Sequence, residues 1–283
     1  NENHVLTLVR TPRGKPQYPC NRGGALIDVE VKDWFSWSPY RKASYKLVRA
    51  EATSFHRWRR HPEPVDPYFL GVLLGDGTLR RSVAVTTTDD EIVEEIHLQA
   101  AQYGLAVTVQ DSRGRRTPTY YIVRDRRGHP NPLREQLGRL GLQGCDSATK
   151  FIPYSYKTAS IDSRREILAG LLDADGHLSH GGFDYISKSS VLAEDVAFIA
   201  RSLGLAAYVK PCRKQAQTGP VGVYHRVSIT GDTDQLPTRI PRKQALSRRQ
   251  KKDVLRTSFT AHYLPALEPY YGFTLDGDGR YLL

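Results

Sequence analysis

Two carboxylates stand at matching places in two similar stretches. "LAGLLDADG", residues 168–176, closes on Asp175-Gly176, and "FLGVLLGDG", residues 69–77, closes on Asp76-Gly77. Each stretch begins as a buried apolar helix, and each acid falls at the C-terminal end, where the helix dipole disfavours negative charge. Small residues recur four apart, Gly71 with Gly75 and Gly170 with Ala174, a spacing that lets two helix backbones come close on steric grounds. Helices packed in this way would make Asp76 and Asp175 neighbours, and adjacent carboxylates are costly without compensating charge. A divalent cation compensates them: Mg²⁺ accepts few carboxylates and fills its shell with water and phosphate oxygens. That arrangement suits hydrolysis of a phosphodiester. One Asp-Gly alone is ordinary turn chemistry; two at equivalent positions point to a site.

The elements that must position these acids repeat. Asp66 and Pro67 have the order of an N-cap followed by the first helical residue, and Ser163 and Glu166 have the spacing of a capping box. After each motif come a strand ("SVAVTTT", "GGFDYISKS"), an amphipathic helix ("DDEIVEEIHLQAAQYG", "SVLAEDVAFIARSLG") and two further strands. Asp76 lies 28 residues before Gly104 and Asp175 lies 29 before Gly204. Helices and strands in common register imply an internal duplication. Outside the repeats the chain reads as β: "HVLTLVR", "GALIDVEV" and "YKLVRA" before them, "YYGFTLDGDGRYLL" after them. The "DGDG" at 276–279 reads as a hairpin turn.

The 283 residues carry a net charge of +11, which favours an acidic partner, nucleic acid first. Three cysteines, with no metal or redox spacing among them, point to a reducing, intracellular setting. No apolar run approaches the ~20 residues of a membrane span, and no targeting pattern opens the chain. The chain contains no Met and opens in strand-like sequence, which suggests excision from a longer polypeptide or trimmed ends. "DSRGRRTPTYYIVRDRRGH", residues 111–129, mixes arginines and tyrosines between two strands, as a β-ribbon tip tracking a duplex would. "YVKPCRKQAQTG", residues 208–219, is its expected partner in the second repeat. The expected DNA contacts are Arg80, Arg81, Arg113, Arg115, Arg116, Tyr120, Lys188, Lys210, Arg213 and Lys214, with "HRWRRH" at 56–61 adding phosphate contacts.

At this point the sequence resembles a known family. "LAGLLDADG" matches the signature of the LAGLIDADG homing endonucleases at eight of nine positions, and "FLGVLLGDG" looks like a divergent first copy. Two copies in one chain resemble the monomeric, pseudo-symmetric members. The resemblance implies an α+β fold of two αββαββα-like halves. It also implies site-specific cleavage of double-stranded DNA with Mg²⁺, or Mn²⁺ as a substitute. The metal would be held by Asp76 and Asp175 with the adjoining Gly75 and Ala174. Asp173 has Leu74 as its counterpart and is given no catalytic role. The family's basic residue before an "IP" falls on Lys150 in "TKFIP"; in "TRIPRK" the counterpart is Arg239, with Lys243 as the alternative.

The flanks resemble inteins, the self-splicing Hint fold, with His4 at the position of a conserved splicing histidine. The chain lacks the terminal Cys or Ser and the His-Asn that splicing uses. The expected organisation is a Hint-like part at 1–60, a first half at 61–160, a second at 161–250, and the closing Hint-like part at 251–283. The expected partners are the uninterrupted host gene as duplex DNA and a host extein protein, with the chain acting as a monomer. Two rival readings are a catalytically silent DNA- or RNA-binding module, acting as maturase or regulator, and a splicing-only intein with a decayed nuclease.

Overall fold

The computed structural model describes residues 2–11, 24–55, 63–110, 117–124, 130–215, 221–248, 250 and 253–263. The chain divides into two units, one formed by residues 1–50 with those from 253 onward, the other by 51–252.

The first unit is one antiparallel sheet with two short helices. Strands β1 (Val5–Arg10), β2 (Leu26–Glu30) and β3 (Tyr45–Val48) are joined by β12 (Arg256–Thr257) in the order β12-β3-β1-β2. Residues from both ends of the sequence thus share one sheet. The all-β expectation for "GALIDVEV" is corrected: the strand stops at Glu30, and helices α1 (Val31–Ser36) and α2 (Pro39–Ser44) follow. Ser38 accepts from the Arg41 N–H, with Pro39 at the first helical position, which is local start chemistry for a helix. Leu8, Trp34 and Trp37 form the core, and Trp34 stacks on Phe259 at 4.5 Å between ring centres.

The second unit carries the duplication. In chain order its elements are α3 (Pro67–Gly75), β4 (Gly77–Thr78), β5 (Val83–Thr86), α4 (Asp90–Gln102), β6 (Leu105–Gln110), β7 (Thr119–Arg124), α5 (Pro132–Arg139) and α6 (Tyr154–Lys157). They are followed by α7 (Ile161–Asp175), β8 (Gly176–Ser179), β9 (Gly182–Ser187), α8 (Ser190–Ser202), β10 (Ala206–Gln215) and β11 (Val221–Thr230). The two sheets run β4-β5-β7-β6 and β8-β9-β11-β10, the same strand order in each half. Helices α4 and α8 both end on a left-handed glycine, Gly104 and Gly204, as a helix C-terminus favours. One apolar core joins the halves, with α3 and α7 at its centre and the inner sheet faces around them.

The helix starts show how closely local chemistry sets the frame. Asp66 caps α3 by accepting from the Phe69 N–H at 2.9 Å. The capping box expected at Ser163 and Glu166 is not formed. Helix α7 starts earlier, capped by Ser160, whose hydroxyl accepts from the Ser163 N–H at 3.0 Å. Glu166 faces Arg239 instead, at 3.6 Å.

Candidate functional site

Helices α3 and α7 meet backbone to backbone. A Cβ on Gly71 would fall on the Ile167 carbonyl oxygen, and one on Gly170 would fall on the Tyr68 carbonyl oxygen. A Cβ on Gly75 would collide with the Ala174 side chain. The fourfold spacing of small residues is therefore the contact surface itself. It brings the two helix ends together, with Asp76 as the C-cap of α3 and Asp175 as the last residue of α7.

The glycine after each acid has a steric reason. Neither Gly77 nor Gly176 has positive φ. Each passes directly from helix into strand, and a Cβ there would strike the carbonyl oxygen of Leu73 or Leu172. The Asp-Gly step thus turns the chain sharply while leaving the carboxylate at the helix end.

Both carboxyls are held above their ordinary range. Burial first, and then the neighbouring Asp175 charge, push Asp76 up to about 6, against the pull of Lys243 and Lys150. Asp175 opens to solvent but is crowded by protein atoms. That desolvation pushes its carboxyl up, with Lys150, Lys243 and Lys214 opposing the shift. Lys150 is buried, and this brings its ammonium down to about 8 although Asp175 and Asp76 act to raise it.

The two lysines occupy equivalent places. Lys150 Nζ donates to the carbonyls of Gly75 at 2.9 Å and Gly77 at 2.7 Å, at the end of α3. Lys243 Nζ donates to the carbonyls of Leu172, Asp173 and Ala174 at 3.1, 2.6 and 3.1 Å, at the end of α7. Cations there complement the helix dipole. The leading choice of Arg239 as the counterpart of Lys150 is corrected in favour of Lys243. Aligning the two "IP" pairs selects Arg239, but Lys243 reaches the helix end from the other side of its "IP". Arg239 lies elsewhere: its guanidinium pairs with Glu95 at 2.5 Å and lies 3.6 Å over the Tyr68 ring.

Each lysine-bearing segment is tied to the amphipathic helix of the other half. The Ile152 N–H donates to Asp195 at 2.9 Å, Lys157 pairs with the same carboxylate at 2.6 Å, and Ser189 donates to the Lys150 carbonyl at 2.7 Å. Across the duplication, Arg239 pairs with Glu95, and Arg242 grips Asp89 through two bonds at 2.5 and 2.9 Å. Glu95 and Asp195 are both buried, each six residues beyond its helix cap, Asp89 or Ser189. Asp173, fully buried, accepts from the Tyr68 hydroxyl at 2.8 Å and the Arg239 N–H at 2.6 Å, which accounts for an acid opposite Leu74.

A cleft opens at Asp175. It is lined by Gly75 and Lys150, by Lys188 and Lys214 from the expected DNA contacts, and by Ser147, Tyr185 and Tyr224. Tyr185 was missed by sequence reasoning. It pairs in register with Gly176, directly beside the acidic motif, and its burial holds the phenol well above its usual range.

The other expected contacts separate by face, because side chains alternate along a strand. Lys210 and Lys214 lie on one face of the second sheet with Tyr208, Tyr224 and Arg226. Arg213 alternates to the face of Val209, which packs on the core. Lys210 stands directly opposite Arg226. In the first sheet, Tyr120 is corrected: it packs against the core, sharing the face of Ile122, while Tyr121 and Thr119 take the outer face. Arg80 and Arg81 are exposed between β4 and β5. Arg113, Arg115 and Arg116, the "HRWRRH" stretch and the 276–279 turn lie outside the described residues. His4 stands half-buried just before β1, its carbonyl accepting from the Val31 N–H at 2.9 Å.

Comparison with known proteins finds a match within the second half. Residues 162–235 match the LAGLIDADG-like domain. The replicative DNA helicase DnaB of Mycobacterium intracellulare is 34% identical over 141 residues, which is 50% of this chain and 19% of the helicase. The chain thus aligns with about a fifth of that relative's length. Solved structures of the homing endonuclease I-DmoI, as mesophilic variants and in complex with DNA and Mn, share 11% and 12% identity, each with a TM-score of 0.41. They cover 59% of this chain and 89% and 90% of their own. The LAGLIDADG-like region starts at the second residue of α7 and runs through β11, so it contains Asp175, the cleft-lining Tyr185 and the basic face of the second sheet. No helix among the described residues is long and apolar enough to cross a membrane.

Proposed function

We propose that the chain is a site-specific endonuclease for double-stranded DNA that depends on a divalent cation, Mg²⁺ or Mn²⁺. The observation that carries this reading is the pairing of Asp76 and Asp175 at the ends of two helices in backbone contact. Two carboxyls whose pKa values are both raised, Asp76 partly by the charge of Asp175, have a use when a cation and a polyanion share them. Among the described residues no three His, Cys, Asp or Glu side chains cluster to hold a metal. The protein therefore offers two carboxylates and nearby carbonyls, which fits an ion that keeps water and phosphate oxygens in its shell. The Gly75 and Ala174 carbonyls each accept one lysine hydrogen bond and retain a second lone pair.

When bound, the cation would neutralise the carboxylates, polarise the scissile phosphate and lower the pKa of water. The chain's own residues do the rest. Asp76 and Asp175 fix where the phosphate comes to lie. Lys150 stabilises charge growing on the phosphate oxygens. Lys188 and Lys214 hold the backbone entering the cleft, and the outer face of the second sheet extends that track. Lys210 stands directly opposite Arg226, whose guanidinium lies 3.8 Å from Asp184; a phosphate over this pair would meet two cations at once.

The test is Mg²⁺-dependent cleavage of a duplex recovered by selection from a randomised library. Changing both Asp76 and Asp175 to Ala is expected to lower the rate about a thousandfold or more, with duplex binding retained. Cleavage that survives both changes overturns the site. Salt-dependent binding by the unaltered chain with no cleavage in Mg²⁺ or Mn²⁺ would support the silent binding module instead.

A second, compatible reading concerns the context. Residues 1–50 and 253–263 form one unit although 202 residues separate them in sequence, as expected of a self-splicing element that carries a nuclease. The likeness to a DnaB helicase supports a helicase of that type as the host protein, and its uninterrupted gene as the target. His4 would then assist the first acyl shift. Splicing of a precursor that carries a terminal Cys or Ser, the His-Asn pair and both flanking host segments, and its loss in His4→Ala, is the expected result.

A further inference from the structure

Strand register puts the two sheets of the second unit in one-to-one correspondence. Gly77 pairs with Val85 as Gly176 pairs with Tyr185. Val85 leads on to Tyr120 and Val109, and Tyr185 to Val227 and Val209. One residue along, on the outer face, Gln110 opposite Thr119 in the first sheet therefore corresponds to Lys210 opposite Arg226 in the second. On the other side of the same core row, Thr108 opposite Tyr121 corresponds to Tyr208 opposite Ser228. Thr86 extends the Gln110–Thr119 row, its hydroxyl 2.9 Å from that of Thr119.

The chemistry at these matched positions differs. The paired outer positions of the first sheet hold threonine, glutamine, tyrosine, alanine and valine, with no charged side chain among them. Thr86, Thr108 and Gln110 are exposed there. Arg80 and Arg81 stand in the turn between β4 and β5, outside the paired positions. The same face of the second sheet carries Lys210, Lys214 and Arg226, all exposed. Its acid, Asp184, is engaged by the Ser228 hydroxyl at 2.7 Å and by Arg226 at 3.8 Å.

A duplex responds to these two faces differently. Cations hold phosphates whatever the sequence, and their contribution falls with salt. A neutral face releases no counterions, and what it adds is contact with base edges. Glutamine bonds adenine through N6 and N7, and the methyl group of threonine packs on that of thymine. Both side chains select the same base pair.

We infer that the two halves divide recognition: the outer face of the first sheet reads A·T pairs in one half-site, and that of the second grips the phosphates of the other half-site regardless of sequence. This rests on the endonuclease reading above, under which the duplex crosses the same face of both sheets. The target is then asymmetric, one half A·T-rich and discriminating, the other tolerant.

The experiment uses the full chain in Mg²⁺. Bound duplexes are selected from a randomised library and sequenced, the selected duplex is titrated with salt, and its cleavage is measured separately. The wild-type chain is expected to enrich A·T pairs in one half-site only, where each change to G·C weakens binding about tenfold. Gln110→Ala with Thr108→Ser is expected to flatten that preference and leave the salt dependence unchanged. Lys210→Gln with Arg226→Gln is expected to keep the selected sequence and reduce the slope of log affinity against log salt by about 2. Gln110→Lys with Thr119→Arg, which copies the second-sheet pair into the first, is expected to steepen the slope by about 2 and erase the A·T preference. The inference is overturned by a wild-type selection with no A·T enrichment confined to one half. It is equally overturned by a preference that survives Gln110→Ala with Thr108→Ser and is lost in Lys210→Gln with Arg226→Gln. The wild-type selection needs no variant, so a substituted chain that fails to fold leaves the test intact. Asymmetric binding without cleavage overturns the endonuclease reading alone; cleavage of a site with no such asymmetry overturns this inference alone.

Discussion

The two halves of the second unit share a strand order, a helix contact built on glycine and an acid at each helix end, but they differ in what lies beneath those acids. Under Asp76 the first half is apolar: Leu74 and Val85 are buried in the common core. At the equivalent positions the second half is polar, with Asp173 bonded to Tyr68 and the Arg239 N–H and Tyr185 beside the cleft. The braces differ likewise. Asp195 in the second half holds a backbone N–H and an ammonium across the halves, whereas Glu95 in the first accepts from the buried Gln99 amide of its own helix at 3.0 Å and reaches across only to one half-exposed guanidinium, which also reaches Glu166. Duplication has preserved the parts that fix the carboxylates in space. It has let the supporting chemistry diverge, and the half that carries more buried polar groups is also the half whose lysine is fully committed.

The largest test of the shared part is the helix contact. Gly170→Val would drive a side chain into the Tyr68 carbonyl, and neither backbone can retreat without moving a whole helix. A loss of more than about 3 kcal/mol is expected in urea unfolding; a loss below about 1 kcal/mol would show that the two backbones are not in contact. The unshared part is tested next by removing each brace. Asp195→Ala strands the Ile152 N–H and the Lys157 ammonium, an expected cost of about 3 kcal/mol. Glu95→Ala leaves Arg239 with Glu166, the Tyr68 ring and solvent and strands only the Gln99 amide, an expected cost of about 2 kcal/mol. The reverse order would mean that the first-half brace is the stronger.

The parts readable in the sequence are those set by short-range geometry. The positions of Asp76 and Asp175, the fourfold glycine spacing and the Asp66 cap are all local patterns, and each is where the spacing puts it. The repeat was legible because helix, strand and glycine recur in register. Lys243 was harder to choose, because two segments can reach the same helix end from opposite sides of an "IP". Tyr120 was placed on the wrong face because "TYYIV" is apolar throughout and offers no alternation from which to choose; pairing with β5 decides it. Tyr185 lies nine residues beyond Gly176, and only the hairpin register brings it back to the motif. The Ser160 cap lost to Ser163 in the sequence because the latter has an acid three residues on, while the actual cap is followed by Ser163. The braces at Glu95 and Asp195 left no sequence signal beyond an acid on the apolar side of a helix, since their partners come from the other half.

The finest comparison is between the acid pair with and without its cation. Asp76 has a pKa of about 6 in the folded chain against an ordinary 3.8, so folding disfavours its charged form. The sign follows from linkage: the folded state binds the extra proton, so its stability is greatest below pH 4 for this group and declines as pH rises through 6. The rise from 3.8 to about 6 corresponds to about 3 kcal/mol; Asp76 is only half-buried, and screening reduces the expected effect to about 1 kcal/mol. In chelator-treated protein Asp76→Asn is therefore expected to be more stable than wild type at pH 7.5 and about equal to it at pH 4. Mg²⁺ should reverse that order at pH 7.5, because an ion held by both carboxylates stabilises only the chain that has them. Thermal unfolding at the two pH values, with and without Mg²⁺, measures all of it. A wild-type chain already more stable than Asp76→Asn at pH 7.5 in chelator would mean that the paired carboxylates carry no strain, and that they need no cation to be held together.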